Sequence, residues 1–227
     1  EVLDYEMKRN DKIFILGEGI GKRGGNFSTT LGLFEKYGQL RVCDTPICER
    51  GFVGLACGAA MAGARPVVDF MFIDFLNDAF GEIINQISKV QYMSSGKIKM
   101  PIIMRGCIGI GHSAATHHSG SYYSLYSHFP GLIVVVPSNA YDAKGLFATA
   151  LNCDNPILFL EHREIIMNKV EVPDEQYQIP FGLANIVIEG NELTVVALSK
   201  MLLIAKEVIK EMTYSKKFSI ELIDPRC

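Results

Sequence analysis

Residues 41–71 read Arg41-Val-Cys-Asp-Thr-Pro-Ile-Cys-Glu-Arg-Gly-Phe-Val-Gly-Leu-Ala-Cys-Gly-Ala-Ala-Met-Ala-Gly-Ala-Arg-Pro-Val-Val-Asp-Phe-Met71. A strand at Arg41 to Cys43, a helix over Glu49 to Gly63 and an apolar strand at Pro66 to Met71 follow one another with short links. Glycines 51, 54, 58 and 63 fall near one face of that helix. Each costs roughly 1 kcal/mol against alanine in a helix interior, so close packing or a ligand must compensate.

The same alternation extends outward. Before it, Lys12 to Leu16 reads as a strand entering a glycine cluster, and Phe27 to Tyr37 as a helix ended by Gly38. After it, Leu76 to Met93 carries Leu76, Ala79, Phe80, Ile83, Ile84, Ile87 and Val90 on one apolar face of a long helix. Strands at 101–104, 132–136 and 157–160 follow, with a helix at 141–151 before the last. The expectation is an α/β fold: a parallel sheet with helices on both faces. Val170 to Gly182 mixes prolines, acids and glycine and reads as a linker. Beyond it come strands at 184–188 and 193–198 joined by a turn, a helix at 201–212 and a strand at 218–223. The expected division is a first domain over 1–169, a linker over 170–182 and, over 183–227, the start of a second α/β domain in which the chain stops.

Composition narrows the function classes. The 227 residues are 48% hydrophobic and carry a formal charge of −3 without a basic block, which argues against a nucleic-acid partner. Cys43, Cys48, Cys57, Cys107, Cys153 and Cys227 form no C-x-x-C pair and read as reduced, mostly buried thiols of an intracellular protein. No apolar run is long enough to cross a bilayer, so no membrane association is expected, and the opening Glu-Val-Leu-Asp-Tyr-Glu is unlike a signal peptide.

Ligands of open parallel sheets sit beyond the carboxyl ends of the strands. Glu49 falls there, where a strand gives way to a glycine-rich helix; complementing the helix dipole is its plainer role. Phe70, Phe72 and Phe75 cluster after the next strand, as core or as a stacking platform. The loop from Gly106 to Gly120 surrounds His112, His117 and His118 with small residues, a pattern suited to proton transfer or anion binding as well as to a polar surface loop. Cys107 and these histidines lack a familiar zinc-ligand spacing. Gly17-Glu-Gly19-Ile-Gly21 fails the six-residue dinucleotide fingerprint, and Ser199-Lys200 lacks the glycines of a phosphate loop.

Taken together, Asp44 to Pro66, Phe70 to Phe75, Tyr92-Met-Ser-Ser-Gly96, Pro101 to Gly106, His118-Ser, His128-Phe-Pro-Gly131 and Asp142-Ala-Lys-Gly-Leu146 resemble, in order and spacing, the β subunit of the first, decarboxylating component of 2-oxo-acid dehydrogenase complexes. The resemblance runs from about Ile13 to the end. It implies a transketolase-like pyrimidine-binding domain, thiamine diphosphate as cofactor, and an active site completed by an α subunit in a heterotetramer of two α and two β chains. Glu49 matches the acid that hydrogen-bonds the pyrimidine ring; a glutamate in an apolar pocket can share a proton there. Phe75 matches the aromatic stacked on that ring, the backbone near Ile47 would touch it, and His118 matches the histidine facing substrate and the incoming lipoyl group. Backbone carbonyls of Ile102, Ala150, Leu151, Cys153 and Asn155 fall at the family's monovalent cation site, a structural K+. A lipoyl-bearing acyltransferase core is a further implied partner, and a bacterial cytoplasm or a mitochondrial matrix the implied compartment.

Departures leave the 2-oxo acid open among pyruvate, branched-chain acids and acetoin. Asp78 stands where the pyruvate-type enzymes often carry glutamine, and Thr116-His117 replaces a commoner Ala-Gln pair. The Gly-Asp-Gly…Asn segment that holds magnesium and diphosphate is missing, a part the family's α subunit provides. Two other readings compete: a catalytically inactive assembly module of the same fold, and a nicotinamide-binding Rossmann-type oxidoreductase. Retained Glu49, Phe75 and His118 argue against the first, the glycine spacing against the second.

Overall fold

The computed structural model describes residues 1–214 and 218–227. In chain order the first part runs α1 (Val2–Arg9), β1 (Ile13–Gly17), α2 (Leu33–Tyr37), β2 (Val42–Asp44), α3 (Glu49–Met61) and β3 (Arg65–Phe72). A 3-10 segment (Ile73–Ala79), a π turn (Glu82–Ile87) and α4 (Val90–Met93) follow. Then come β4 (Ile103–Ile108), α5 (Tyr123–Tyr126), β5 (Ile133–Val135), α6 (Ala140–Asn152) and β6 (Ile157–His162). The six strands form one parallel sheet in the order β2-β1-β3-β4-β6-β5.

Both faces of this sheet are covered, as its continuous apolar strands require. On β4, Met104 and Ile108 enter the core made with α3 and the helical segment 73–93, while Ile103 enters the opposite core made with α1 and α6. Asn139 caps α6 by accepting the Asp142 N–H at 2.8 Å.

Local geometry corrects several element boundaries. The helix expected over 27–37 shrinks to α2, because Ser28 and Gly32 have φ of 56° and 79°, outside the helical region. The long helix expected over 76–93 is divided by its π turn, although Leu76, Ala79, Ile83, Ile87 and Val90 all reach the core as their spacing implies. α1, at a position where no helix was expected, buries Val2, Leu3 and Met7. The cysteines are free, but only Cys57 and Cys107 are buried; Cys48 and Cys227 are exposed.

The segment read as a linker is held to α6. Ile179 donates its N–H to the Gly145 carbonyl at 3.1 Å, and Thr149 Oγ1 donates to the Ile179 carbonyl at 2.7 Å. Beyond it lie β7 (Asn185–Ile188), β8 (Leu193–Val196), α7 (Ser199–Tyr214) and β9 (Ile220–Asp224). β9 runs between the other two strands, antiparallel to β7 and parallel to β8. Arg226 binds Asp142 at 2.8 Å and ties this end of the chain to α6.

One buried charge cluster crosses the first sheet. Arg105 on β4 lies 2.6 Å from Glu161 on β6, 3.9 Å from Asp69 on β3, and packs its guanidinium over Phe147. Burial opposes its charge, but Glu161 and Asp69 outweigh that and raise its pKa. Arg105→Met would leave two carboxylates facing each other without a cation. Breaking a buried pair this way costs about 3–5 kcal/mol, so the urea midpoint should fall clearly with an unchanged m-value. A midpoint equal to that of the unaltered chain would contradict this role.

Candidate active site

The candidate residues gather at the carboxyl edge of the sheet in two neighbouring groups. The first lies beyond β1 and β2. Glu49 is the first residue of α3 and only 7% exposed. Glu18, directly after β1, is close enough for the Glu49 charge to act on it. Its Oε1 is buried without a hydrogen-bond partner, as is Thr45 Oγ1 just after β2. Burial first, and then Glu49, raise the Glu18 pKa above its ordinary 4.5. Glu18 was hidden in the sequence inside what looked like a defective glycine motif.

The second group lies beyond β3 and β4. β3 slips register between Asp69 and Phe72, and Met71 adopts φ of 60°, a conformation unfavourable for a bulky side chain. Asp69 Oδ1 holds the bulge by accepting the Met71 N–H at 2.9 Å. Past it, the His118 ring stands edge-on to Phe72 and Phe75, with centroids at 4.7 and 5.3 Å. Phe27 closes on Phe72 at 5.6 Å. Asp74 accepts the Gly120 N–H at 3.1 Å and the Tyr122 hydroxyl at 3.3 Å, which anchors the end of the histidine loop.

The other expected residues are dispersed. His112 and His117 are exposed, with the His117 ring 6.1 Å from His118. Phe70 is core, packed on Phe52. Asp78 is exposed beside Arg50. Cys107 is buried, and burial pushes its thiol up to about 12. Among the described residues no three His, Cys, Asp or Glu side chains come together as a metal cluster. Of the five expected cation ligands, the Leu151 and Cys153 carbonyls accept from Arg65 at 3.1 and 2.5 Å. Those of Ile102 and Ala150 accept backbone N–H groups. The loop after β1 continues to Leu33 before a helix begins, unlike the strand–glycine–helix turn of dinucleotide folds.

Exposed apolar residues flank Glu49 in sequence. Ile47 is 83% exposed, and the outer face of α3 presents Gly54, Leu55 and Gly58.

The model of the transketolase pyrimidine-binding domain matches residues 1–169, which defines the class of protein. Pyruvate dehydrogenase E1 component subunit beta of Rickettsia conorii is 42% identical over 226 residues, covering all of this chain and 69% of the relative. The beta subunit of acetoin:2,6-dichlorophenolindophenol oxidoreductase of Bacillus subtilis is 38% identical over 238 residues, with the same coverage. The 2-oxoisovalerate dehydrogenase subunit beta of that organism is 41% identical over 192 residues, covering 84% of this chain and 59% of the relative. The chain therefore belongs to the β-subunit family of 2-oxo-acid dehydrogenase first components. A solved "split gene transketolase, inactive beta4 tetramer" matches in fold, with TM-score 0.78 and 23% identity over 98% of this chain and 68% of its own.

The Glu18 shift gives a pH prediction. A carboxyl whose folded pKa is raised contributes most below its unfolded value, and that contribution is lost as pH rises through the folded value. Glu18→Gln should therefore gain stability on the unaltered chain between pH 4 and pH 7. Thermal melts that stay parallel across that range would contradict the raised Glu18 pKa, which burial and then the Glu49 charge produce.

Proposed function

We propose that the chain is the β half of a thiamine-diphosphate-dependent 2-oxo-acid dehydrogenase, with Glu49 and His118 as its catalytic residues. The observation that carries this reading is the buried Glu49 beside an unpartnered Glu18 oxygen, one strand away from an aromatic wall backed by His118. Two buried oxygens without partners, Glu18 Oε1 and Thr45 Oγ1, suit a polar heteroaromatic ring. The aminopyrimidine of thiamine diphosphate is such a ring.

When bound, thiamine diphosphate supplies the nucleophilic carbon and the electron sink for decarboxylation. Glu49 holds a proton at the pyrimidine nitrogen, in a site where water is excluded. Phe75, with Phe72 behind it, seats the ring, and the backbone at Ile47 borders it. His118 faces the substrate and donates a proton to the sulfur that leaves when the lipoyl disulfide opens.

The partners in this proposal are an α subunit, in a heterotetramer of two α and two β chains, and a lipoyl-bearing acyltransferase core. The chain lacks the Gly-Asp-Gly…Asn pattern, so the α subunit holds the Mg2+ and diphosphate. Ile47 and the glycine-lined face of α3 suit close approach of that subunit. A structural K+ at Ile102, Ala150, Leu151, Cys153 and Asn155 belongs to the proposal as well, with Arg65 already engaging two of those carbonyls. So does the division into a pyrimidine-binding domain over 1–169, a linker over 170–182 and a second domain begun at 183.

Two variants, assembled with an α subunit, test the assignment. Glu49→Gln keeps the size and loses the shared proton, so hydrogen–deuterium exchange at the cofactor's reactive carbon should slow by about 10²- to 10⁴-fold. His118→Ala should leave that exchange intact and depress acyl transfer to a lipoyl domain most. Unchanged exchange in the first variant, together with unchanged acyl transfer in the second, would favour an inactive assembly module instead.

A further inference from the structure

Arg163, the residue after β6, is only 3% exposed. Its guanidinium donates to the carbonyls of Gly109 at 2.6 Å, Gly111 at 3.0 Å and His118. The guanidinium carbon also lies 5.1 Å from the centre of the Phe72 ring. Among the described residues it forms no ion pair with a carboxylate. A buried cation without a counter-ion must be solvated by dipoles. Here those dipoles are three carbonyls of one loop and the face of one aromatic ring.

The middle of that loop is strained. His112, Ser113 and Ala115 have φ of 54°, 52° and 59°, conformations that persist only where the surroundings impose them. Two glycines let the loop lie directly on the end of β6. A Cβ on Gly109, at φ 83°, would stand 2.1 Å from His162 Nε2, and one on Gly111, at φ 143°, would stand 3.1 Å from Arg163 Cγ. The Gly109-Ile-Gly111 spacing is thus the loop's half of a contact whose other half is His162, against Gly109, and Arg163, against Gly111. Within the loop the Gly109 N–H donates to the Gly120 carbonyl, the Ala114 N–H to the Gly111 carbonyl and Ser119 Oγ to the Ala115 carbonyl, and Asp74 anchors Gly120. The Arg163 fork is the side chain from outside the loop that joins carbonyls on both sides of the strained turn.

We propose that Arg163 is the positioning residue of the histidine loop. By gathering the carbonyls on both sides of the strained turn, it holds His118 edge-on against Phe72 and Phe75 for the acyl-transfer step. The catalytic consequence rests on the role proposed above for His118; the fixing of the loop does not. A planar fork can span several carbonyls, whereas an ammonium is a point charge. Charge alone should therefore not suffice.

The test uses Arg163→Lys and Arg163→Gln in the full chain assembled with an α subunit. Amide exchange over residues 109–120 should quicken by about tenfold or more, while β4 and β6 stay protected. Acyl transfer to a lipoyl domain should fall by about 10²-fold, the order expected of a small misplacement, with 2-oxo-acid decarboxylation to an artificial acceptor little changed. Added guanidinium ion should restore part of the transfer in Arg163→Gln and none in His118→Ala. Unchanged loop exchange in both variants would overturn the proposal whatever the kinetics. So would loss of β4 and β6 protection together with the loop in both variants, since Arg163 would then be a general structural residue. A loosened loop with full acyl transfer would overturn the catalytic link when His118→Ala is impaired. If His118→Ala is also unimpaired, the loosened loop supports the positioning role and the failure belongs to the assignment of His118.

Discussion

The carboxylate of Asp69 is where the sheet and the candidate site are joined. Oδ1 accepts the Met71 N–H and holds β3 in a bulge, while Oδ2 reaches Thr29 Oγ1 at 3.4 Å and Arg105 at 3.9 Å. Without the bulge, β3 would continue in register and present alternate residues to opposite faces. With it, Phe72 and Phe75 both meet His118 beyond the strand end. The Thr29 contact fastens the long loop after β1, which carries Glu18 and Phe27 to the two groups of the site. Arg105 and Glu161 carry the same network across β4 to β6, the strand that delivers Arg163.

The sequence made the parallel sheet legible because strands buried on both faces leave continuous apolar runs that polar loops do not imitate. The apolar face from Leu76 to Val90 was legible for the same reason, but not the π turn inside it. A π turn alters the backbone path without altering which residues are apolar. α1 was obscured because charges outnumber its buried Val2, Leu3 and Met7. The placement of β9 between β7 and β8 depends on a long-range pairing, and a turn at 189–192 suggested neighbours instead. Gly190 marks the true arrangement: its Cβ would stand 2.2 Å from the Ile220 backbone.

The site divides in the same way. Glu49, Phe75 and His118 stood out through a resemblance whose motifs run along most of the chain. Glu18 did not, since its importance comes from a neighbour thirty-one positions away. Arg163 did not, because its partners are backbone carbonyls, which leave no pattern of side chains. The glycines at 109 and 111 were visible as small residues of the histidine loop, but not as the imprint of His162 and Arg163 lying against them.

The remaining feature of the candidate site is the exposed apolar residues on either side of Glu49 in sequence. Glu49 is buried, yet Ile47 two residues before it and Leu55 six residues after it face outward. In the proposed assembly the α subunit supplies the other half of the pocket, so the ligand should be held only when that half is present. Calorimetric titration of thiamine diphosphate with Mg2+, into this chain alone and into the chain assembled with an α subunit, tests that claim most directly. Weak binding alone and tight, Mg2+-dependent binding in the assembly is the predicted result; tight Mg2+-dependent binding by the isolated chain, or none by the assembly, would contradict it.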